Sequence, residues 1–321
     1  MVKFNPRAFS RLGQSGSVFG MELMEHAGQV PLKVLSADMS VVAGLDRFKR
    51  EHPDDFYNVG IAEQNLLGIS AGLASEGFRV VAVAQACFLS MRSFEQVRQY
   101  LGYMELPVIC TGINAGFSLT FFGNTHYALE DLSLMRSIPG MTVYSPADAG
   151  AAVKCFAAAL EGDGPSYIRL VGGLGCPVVY SEDFTFETGK AIRLREGSDV
   201  ALFATGSMVY PSLRAAELLA DEGISIRVTD IHTLKPLDRE SVLGCGDCRL
   251  VVTVEEHNII GGLGTAVADV LAENPNGPGL LKLGVRDQFV EVGDYASLLE
   301  QVRLTPELIA ADIRERYRRL G

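Results

Sequence analysis

One carboxylate has unusually small and apolar neighbours. Glu63 lies in the segment NVGIAEQNLLGISAGLA, residues 58–74, and leads into a run with helical spacing. Flanked by Ile61, Ala62 and Leu66, this acid should be poorly solvated. A carboxyl group in such surroundings can share a proton with a ring nitrogen at neutral pH. The alternative is an acid that stabilises a helix N-terminus through the helix dipole, and the spacing alone leaves both interpretations open.

Two further patterns are candidates for the same site. Phe88, Met91 and Phe94 recur at i, i+3 and i+6, which is typical of a helix packed on a core. The same stripe could sandwich a flat heteroaromatic ring. His126 lies in a Gly-Asn-Thr-His turn before a predicted short helix. A loop histidine at the mouth of an α/β sheet is often functional, although a surface histidine without a role fits the same pattern.

Two segments imitate metal sites. Gly162-Asp163-Gly164 matches the opening of a magnesium–diphosphate motif, which also needs a downstream Asn to complete the oxygen ligands of Mg²⁺. Residues 165–256 contain no Asn, so a turn before a strand is the favoured interpretation. Cys245 and Cys248 form a CxxC pair without a second pair, and they precede a strand. Zinc and redox roles are therefore not favoured, and any role of this pair stays open.

Alternating strands and helices must position these residues. Short apolar strands such as 79–84 and 107–111 alternate with helical patterns such as 62–76 and 88–104. This alternation is typical of a parallel sheet covered by helices on both faces. The pattern is lost over a Gly-rich and turn-rich stretch and then restarts. The sequence therefore predicts an α/β protein with two doubly wound domains, at 1–172 and 187–321, joined by a linker at 173–186.

The composition limits the partners and the compartment. The chain has 321 residues, a net charge of -11 and 48% hydrophobic residues, and its charges are spread out. Without a basic patch, neither nucleic acid nor an anionic membrane is an expected partner. Residues 1–20 lack the apolar core of a signal peptide, and no stretch approaches the length of a membrane span. A cytoplasmic protein is expected.

Several segments, taken in order, resemble the C-terminal half of the transketolase family. They are VLSADMS (34–40), FYNVGIAEQNLLGISAGLA (56–74), FLSMRSFEQVR (88–98), GNTHYALEDLSLMRSIPGMTVYSPAD (123–148), GPSYIRL (164–170) and VEEHNIIGGLGTAVADVL (254–271). The chain is also similar to deoxyxylulose-phosphate synthase, which shares the IAEQ form of the glutamate motif. The β subunits of 2-oxo-acid dehydrogenases are a more distant likeness.

The resemblance implies a thiamine diphosphate enzyme that is divided between two chains. The first domain would be the pyrimidine-binding domain and the second the transketolase C-terminal domain. The diphosphate-binding domain, which would bind Mg²⁺, would belong to a separate N-terminal subunit, in an α2β2 heterotetramer. The expected reaction is transfer of a two-carbon ketol or acyl unit from a ketose or 2-oxo donor to a small-molecule or carrier-bound acceptor. The alternatives are a decarboxylating 2-oxo-acid component, similar either to a 2-oxo-acid dehydrogenase β subunit or to deoxyxylulose-phosphate synthase, and a non-catalytic paralogue.

The resemblance also implies roles for individual residues. Glu63 matches the glutamate that hydrogen-bonds N1′ of the aminopyrimidine. His126 matches the histidine that contacts the hydroxyls and the oxyanion of the substrate. The other expected cofactor contacts are Phe88, which would stack on the pyrimidine, Met91 and Phe94, which would line its pocket, and Asp38 and Met39, which would lie near the centre of the cofactor.

At two substrate positions the chain departs from the family pattern. Phe122 stands where an Asp normally recognises the hydroxyl of the sugar acceptor, and Asn114 stands where transketolases often have a His. A phenyl ring in place of a carboxylate removes a charge-assisted hydrogen bond worth about 1.5–3 kcal/mol. The departures therefore predict a non-standard substrate in place of the ordinary pentose phosphates, with an acceptor that is less polar, unphosphorylated or carrier-bound.

Overall fold

The chain forms two mixed β-sheets with helices packed on them. The structure is a computed structural model, and it describes residues 2–172, 176–273 and 277–320. The first three residues of the predicted linker, 173–175, lie outside the described residues. In the described part the strands are β1 (Leu32–Ser36), β2 (Phe56–Asn58), β3 (Arg79–Gln85), β4 (Val108–Ala115), β5 (Thr142–Tyr144), β6 (Ser166–Val171), β7 (Ile192–Arg195), β8 (Val200–Ala204), β9 (Ile226–Asp230), β10 (Thr233–Lys235), β11 (Leu250–Asn258) and β12 (Gly279–Val285).

Helices connect most of these strands. The α-helices of the described residues are α1 (Pro6–Leu12), α2 (Phe19–His26), α3 (Asp46–Glu51), α4 (Glu63–Ser75), α5 (Phe94–Gln96), α6 (Asp131–Ser137), α7 (Ala149–Glu161), α8 (Val209–Ala220), α9 (Arg239–Leu243), α10 (Leu263–Leu271), α11 (Tyr295–Gln301) and α12 (Pro306–Arg318). Short π-helical segments span Gln14–Val18, Phe88–Arg92 and Val97–Tyr103, and 3₁₀ turns span Pro53–Asp55, Thr120–Thr125 and Gly206–Met208. Within the described ranges, no helix has both the length and the apolar character that crossing a membrane requires.

The first sheet has the strand order β10-β5-β6-β4-β3-β1-β2. All of its pairs are parallel except β10 with β5. Both faces of the sheet are covered, because successive residues of β3 enter different cores. Val80 packs in one core with Leu66 of α4, and Val81 packs in the other with Phe156 of α7. This double burial explains why β3 is a continuous apolar run and confirms the predicted α/β architecture.

The second sheet has the order β12-β11-β8-β9-β7, and only β7 runs antiparallel to its neighbour. One strand crosses the predicted domain limits. Strand β10 belongs to residues 187–321 by sequence, yet it pairs with β5 at the edge of the first sheet. The limits 1–172, 173–186 and 187–321 remain a prediction, and β10 shows that the two units interlock.

A buried ion pair ties the first sheet to α6 and to the C-terminal half. Arg169 in β6 is 2% exposed, and its Nε donates to the Asp131 carboxylate at 2.9 Å. Its Nη2 donates to the carbonyls of Ala128 and Glu256, each at 2.9 Å. A buried pair of this kind contributes little net stability but fixes the arrangement of the groups around it. It therefore holds the segment after His126 against β11.

The predicted continuous helix 88–104 is wrong. The structure replaces it by two π-helical segments that flank the short helix α5. The hydroxyl groups of Ser90 and Ser93 donate to the carbonyls of Ala86 and Leu89, four residues earlier, each at 2.7 Å. Such bonds compete with backbone hydrogen bonds and bend helices. The distortion lies beside the predicted site, where π-helical turns are frequent.

Candidate active site

The predicted site residues lie at or beyond the carboxyl ends of four adjacent parallel strands. This edge of an open α/β sheet is where ligands bind, because the loops of several strands converge there. The residues are Asp38 and Met39 after β1, Glu63 after β2, Phe88, Met91 and Phe94 after β3, Asn114 in β4, and Phe122 and His126 after β4.

Glu63 is the first residue of α4 and is 3% exposed. Its position in the first helical turn gives the carboxylate a favourable interaction with the helix dipole, as the alternative interpretation requires. Burial adds a second property, because a buried carboxylate needs a partner. Arg92 supplies one, with Nη1 donating to Glu63 Oε2 at 2.8 Å. Glu63 is therefore a shielded acceptor at the sheet edge.

The guanidinium of Arg92 also lies over the ring of Phe88. Its guanidinium carbon lies 4.1 Å from the centre of the phenyl ring, a cation–π distance. The Arg92 side chain is 47% exposed, and its backbone carbonyl accepts a hydrogen bond from the Gln64 side chain at 3.1 Å. The sequence analysis did not predict this contact. Their spacing could have indicated it, since Phe88 and Arg92 are four residues apart in a segment with helical periodicity.

His126 joins the same aromatic group. Its ring centre lies 5.2 Å from Phe88 in an edge-to-face arrangement and 4.7 Å from Phe122. The Thr125 hydroxyl is 2.9 Å from His126 Nδ1, which leaves Nε2 as the nitrogen that can face a ligand. The structure thus brings together Glu63, Phe88, Phe122 and His126, with Arg92 between the first two.

The other two residues of the stripe, Met91 and Phe94, have different surroundings. Phe94 is partly buried and packs against the core that includes Leu66. Met91 is 43% exposed. In this structure Phe88 alone of the three stacks with the groups around Glu63 and His126 that are described above.

Asp38 sits in a strained turn that Asn58 holds. Its backbone has a φ of 58°, a conformation in which a non-glycine residue is uncommon. Asn58 Oδ1 accepts from the Asp38 amide at 3.0 Å, and Asn58 Nδ2 donates to Asp38 Oδ1 at 3.0 Å. Met39 follows, half-buried, with its amide donating to the Ser36 hydroxyl at 2.9 Å. Asn58 is a supporting residue that the sequence analysis missed.

Asn114 is strained in the same way, with a φ of 53°, and is 7% exposed. Its amide donates to the Ser15 hydroxyl at 3.1 Å, and that hydroxyl donates to the Leu170 carbonyl at 3.1 Å. The register between β4 and β6 shifts at this point. Strained backbone of this kind occurs most often at functional sites, where the surrounding structure fixes it.

The turn that carries Phe122 and His126 is attached to the C-terminal half. Asn124 Nδ2 donates to the Val290 carbonyl at 2.8 Å, and the Val290 amide donates back to Oδ1 at 3.3 Å. A cavity of about 240 Å³ lies beside this contact. Phe122, in this turn, is 60% exposed, so the site is open to solvent on this side.

His257 and Glu255 belong to a different, buried region. Burial lowers the pKa of His257 to about 4, so the ring is neutral, and its Nδ1 lies 2.7 Å from the Asn258 carbonyl. Burial raises the pKa of Glu255 to about 7, and its oxygens accept from the amides of Leu263 and Gly264 at 2.7 and 2.8 Å. These contacts fix the start of α10.

The two segments that imitate metal sites have simple surroundings. Asp163 lies in the exposed turn between α7 and β6. Cys245 and Cys248 are 1% and 4% exposed, and burial raises the pKa of Cys245 to about 11. Over residues 2–172, 176–273 and 277–320, no three His, Cys, Asp or Glu side chains are grouped so as to hold a metal ion.

Two family models match most of the chain. The model described as "Transketolase, pyrimidine binding domain" matches residues 18–175. The model described as "Transketolase, C-terminal domain" matches residues 189–309. All of the candidate site residues lie within the range 18–175 that the first model matches.

Known proteins resemble the chain over nearly its full length. The 6-deoxy-6-sulfo-D-fructose transketolase subunit SqwH of Clostridium sp. (strain MSTE9) is 43% identical over 86% of this chain and 85% of its own. The 1-deoxy-D-xylulose-5-phosphate synthase 1 of Geobacter metallireducens is 38% identical over 92% of this chain, which spans 48% of that protein. A solved structure described as "Split gene transketolase, inactive beta4 tetramer" is 41% identical with a TM-score of 0.86, covering 93% of this chain and 96% of that chain.

Proposed function

The chain belongs to the transketolase family, and on that premise we propose that it is the C-terminal subunit of a split, thiamine diphosphate-dependent transferase. A separate N-terminal subunit provides the diphosphate-binding domain and most of the contacts to Mg²⁺. The two subunits assemble as an α2β2 heterotetramer. The observation that carries the proposal is the group around Phe88: Arg92 lies over its ring and donates to the buried Glu63 carboxylate, and His126 packs edge-to-face with the same ring.

The residues present fit an aminopyrimidine. Phe88 already carries a planar cation at 4.1 Å, so its face is accessible to a flat group. Glu63 already accepts a hydrogen bond from an N–H group that lies over this face. When bound, thiamine diphosphate supplies an electron sink that permits cleavage of a carbon–carbon bond next to a carbonyl.

Glu63 is the residue that tunes the cofactor. Its carboxylate would hold the proton on the ring nitrogen N1′, and because the group is 3% exposed, water competes weakly for that hydrogen bond. Phe88 would stack on the pyrimidine. Asp38 and Met39, at the end of β1, would lie near the centre of the cofactor, and Met91 and Phe94 would complete the outer and inner walls of its pocket.

His126 is the residue that faces the substrate. Thr125 holds Nδ1, so Nε2 would contact the hydroxyls of the substrate and stabilise charge on its carbonyl oxygen. Phe122 tilts against the same ring and stands where the family has the carboxylate that recognises an ordinary sugar acceptor, and the buried Asn114 stands where transketolases often have a His. We propose that the substrate is a ketose or acceptor other than the common pentose phosphates. The Clostridium relative, a 6-deoxy-6-sulfo-D-fructose transketolase subunit, supports this choice.

Mixing the two subunits tests the proposal. The chain, the diphosphate-binding subunit and an equimolar mixture would each be titrated with thiamine diphosphate and Mg²⁺ by calorimetry. Their masses would be measured by light scattering. Tight binding by the mixture alone, at one cofactor per pair and with the mass of an α2β2 assembly, is expected. Equal binding by either chain alone would contradict the split site.

Two observations support a second candidate, a deoxyxylulose-phosphate synthase-like decarboxylating enzyme. The first half of the chain contains the IAEQ motif, and a synthase of that type is 38% identical. The two reactions differ in their products. Pyruvate with glyceraldehyde 3-phosphate releases CO₂ in the synthase reaction, whereas ketol transfer between sugars releases none. Measured CO₂ release by the reconstituted pair would favour the second candidate.

A further inference from the structure

The guanidinium of Arg92 touches both residues that are assigned to the aminopyrimidine. Its Nη1 donates to Glu63 Oε2 at 2.8 Å, and its carbon lies 4.1 Å from the ring centre of Phe88. An aminopyrimidine needs the same two contacts, a stacking face and a carboxylate partner for a ring N–H.

The two groups match in shape and in chemistry. A guanidinium is planar, delocalised and weakly hydrated, and it stacks on aromatic faces while donating to a carboxylate. A protonated aminopyrimidine is also planar and donates through N1′. Because stacked atoms lie roughly 3.5–4 Å apart, only one flat group fits against this face of Phe88. Arg92 and the pyrimidine therefore exclude each other.

The surroundings of Arg92 allow it to leave. Its side chain is 47% exposed, whereas Glu63 is 3% exposed, so the guanidinium can turn into solvent without crossing the core. Its backbone is held by the Gln64 side chain, which donates to the Arg92 carbonyl at 3.1 Å. The π-helical turn can thus keep its position while the side chain rotates.

We propose that Arg92 is a built-in competitor for the aminopyrimidine position, which pairs with Glu63 in the unloaded subunit and is displaced when the cofactor binds. This inference rests on the proposed function. Arg92 prevents the buried carboxylate of the empty site from remaining unpaired, a condition that is costly in a protein interior. In exchange, the ion pair and the cation–π contact with Phe88 weaken cofactor binding.

The experiment measures cofactor affinity in the reconstituted complex. Arg92→Met keeps the length of the side chain and removes both contacts. Losing a half-exposed ion pair and a cation–π contact should tighten the Kd of thiamine diphosphate, measured by calorimetry, by between about 3-fold and 30-fold. Arg92→Lys keeps a charge for Glu63 without the planar stack, so it should give a smaller tightening of about 2- to 5-fold. It also provides the test if the methionine variant does not fold.

Arg98→Met is the matched control. Arg98 lies in the following π-helical segment and pairs with Glu95 at 2.9 Å, with both side chains exposed. The Arg98→Met substitution removes the same charge as Arg92→Met, and the Kd of thiamine diphosphate should stay within about 2-fold of the wild-type value. An unchanged or weaker Kd for both Arg92 variants, with normal binding by the wild type, would overturn this inference alone. Absence of cofactor binding by the wild-type complex would overturn the proposed function with it.

Discussion

Replacing Phe122 by Asp should restore recognition of a hydroxylated acceptor. Phe122 is an aromatic residue at the open edge of the site, with its ring centre 4.7 Å from that of His126, and it is 60% exposed. A carboxylate at this position can accept a hydrogen bond from a sugar hydroxyl that reaches His126. Such charge-assisted bonds are worth about 1.5–3 kcal/mol.

The exposure of Phe122 places the expected gain at the lower end of that range. Because water competes for the hydrogen bonds of a half-exposed carboxylate, its bond to the sugar hydroxyl should contribute about 1.5 kcal/mol. Since about 1.4 kcal/mol corresponds to a factor of ten, kcat/KM for ribose 5-phosphate should rise roughly tenfold. The reaction with the native acceptor should become slower, because the packing of Phe122 on His126 is lost.

The assay follows donor consumption by the reconstituted pair with xylulose 5-phosphate as donor and ribose 5-phosphate as acceptor. Phe121→Asp is the matched control. Phe121 lies in the same turn and is 83% exposed, and its replacement by Asp adds the same charge one residue away. The interpretation is refuted if the wild type already uses these pentose phosphates with ordinary efficiency. It is also refuted if the two aspartate variants behave alike.

The remaining predictions concern buried groups. Burial raises the pKa of Asp230 to about 8, above the roughly 3.9 of an unfolded chain. Unfolding between these values releases a proton, so this group makes stability fall as pH rises, by at most about 1.4 kcal/mol per pH unit. The stability of Asp230→Asn relative to the wild type should therefore increase as the pH is raised from 5 to 8. Curves of Tm against pH that run parallel for the two proteins would contradict this. In Gly116→Ala, which has a φ of 61°, the new Cβ would lie 2.1 Å from Glu256 Oε1. Backbone strain and displacement of the carboxylate should together cost about 3 kcal/mol in urea unfolding. The control Gly28→Ala has a φ of 78° with nothing within 4 Å, and it should lose only about 1–2 kcal/mol; equal losses would show that the Glu256 contact is unimportant.

The sequence predicted the fold because its strands are strongly apolar. Strands β3 and β8 are buried on both faces and therefore give uninterrupted apolar runs between helical patterns. Helix α4 was predicted to within a residue at each end, since Gly77 closes a clear apolar period. The same pattern located the edge of the sheet at which the candidate residues meet.

Edge strands and side-chain directions could not be predicted in the same way. Strand β10 is three residues long and pairs with β5, some 90 positions earlier, so no local period marks it. The pair of Arg92 and Glu63 joins residues 29 positions apart, and it depends on the π-helical turn after β3. Asn58 holds Asp38 by two hydrogen bonds across adjacent strand ends. Long-range contacts of this kind follow from register and local distortion, which composition and periodicity do not contain.

The most direct test of the account is donor turnover by the reconstituted pair for the wild type and for Glu63→Gln. Consumption of the ketose donor should require both subunits, thiamine diphosphate and Mg²⁺. Because Gln cannot hold the ring proton as a carboxylate does, turnover by the variant should fall by roughly 10²- to 10⁴-fold while the complex still assembles. A variant that turns over the donor as fast as the wild type would contradict the central role of Glu63.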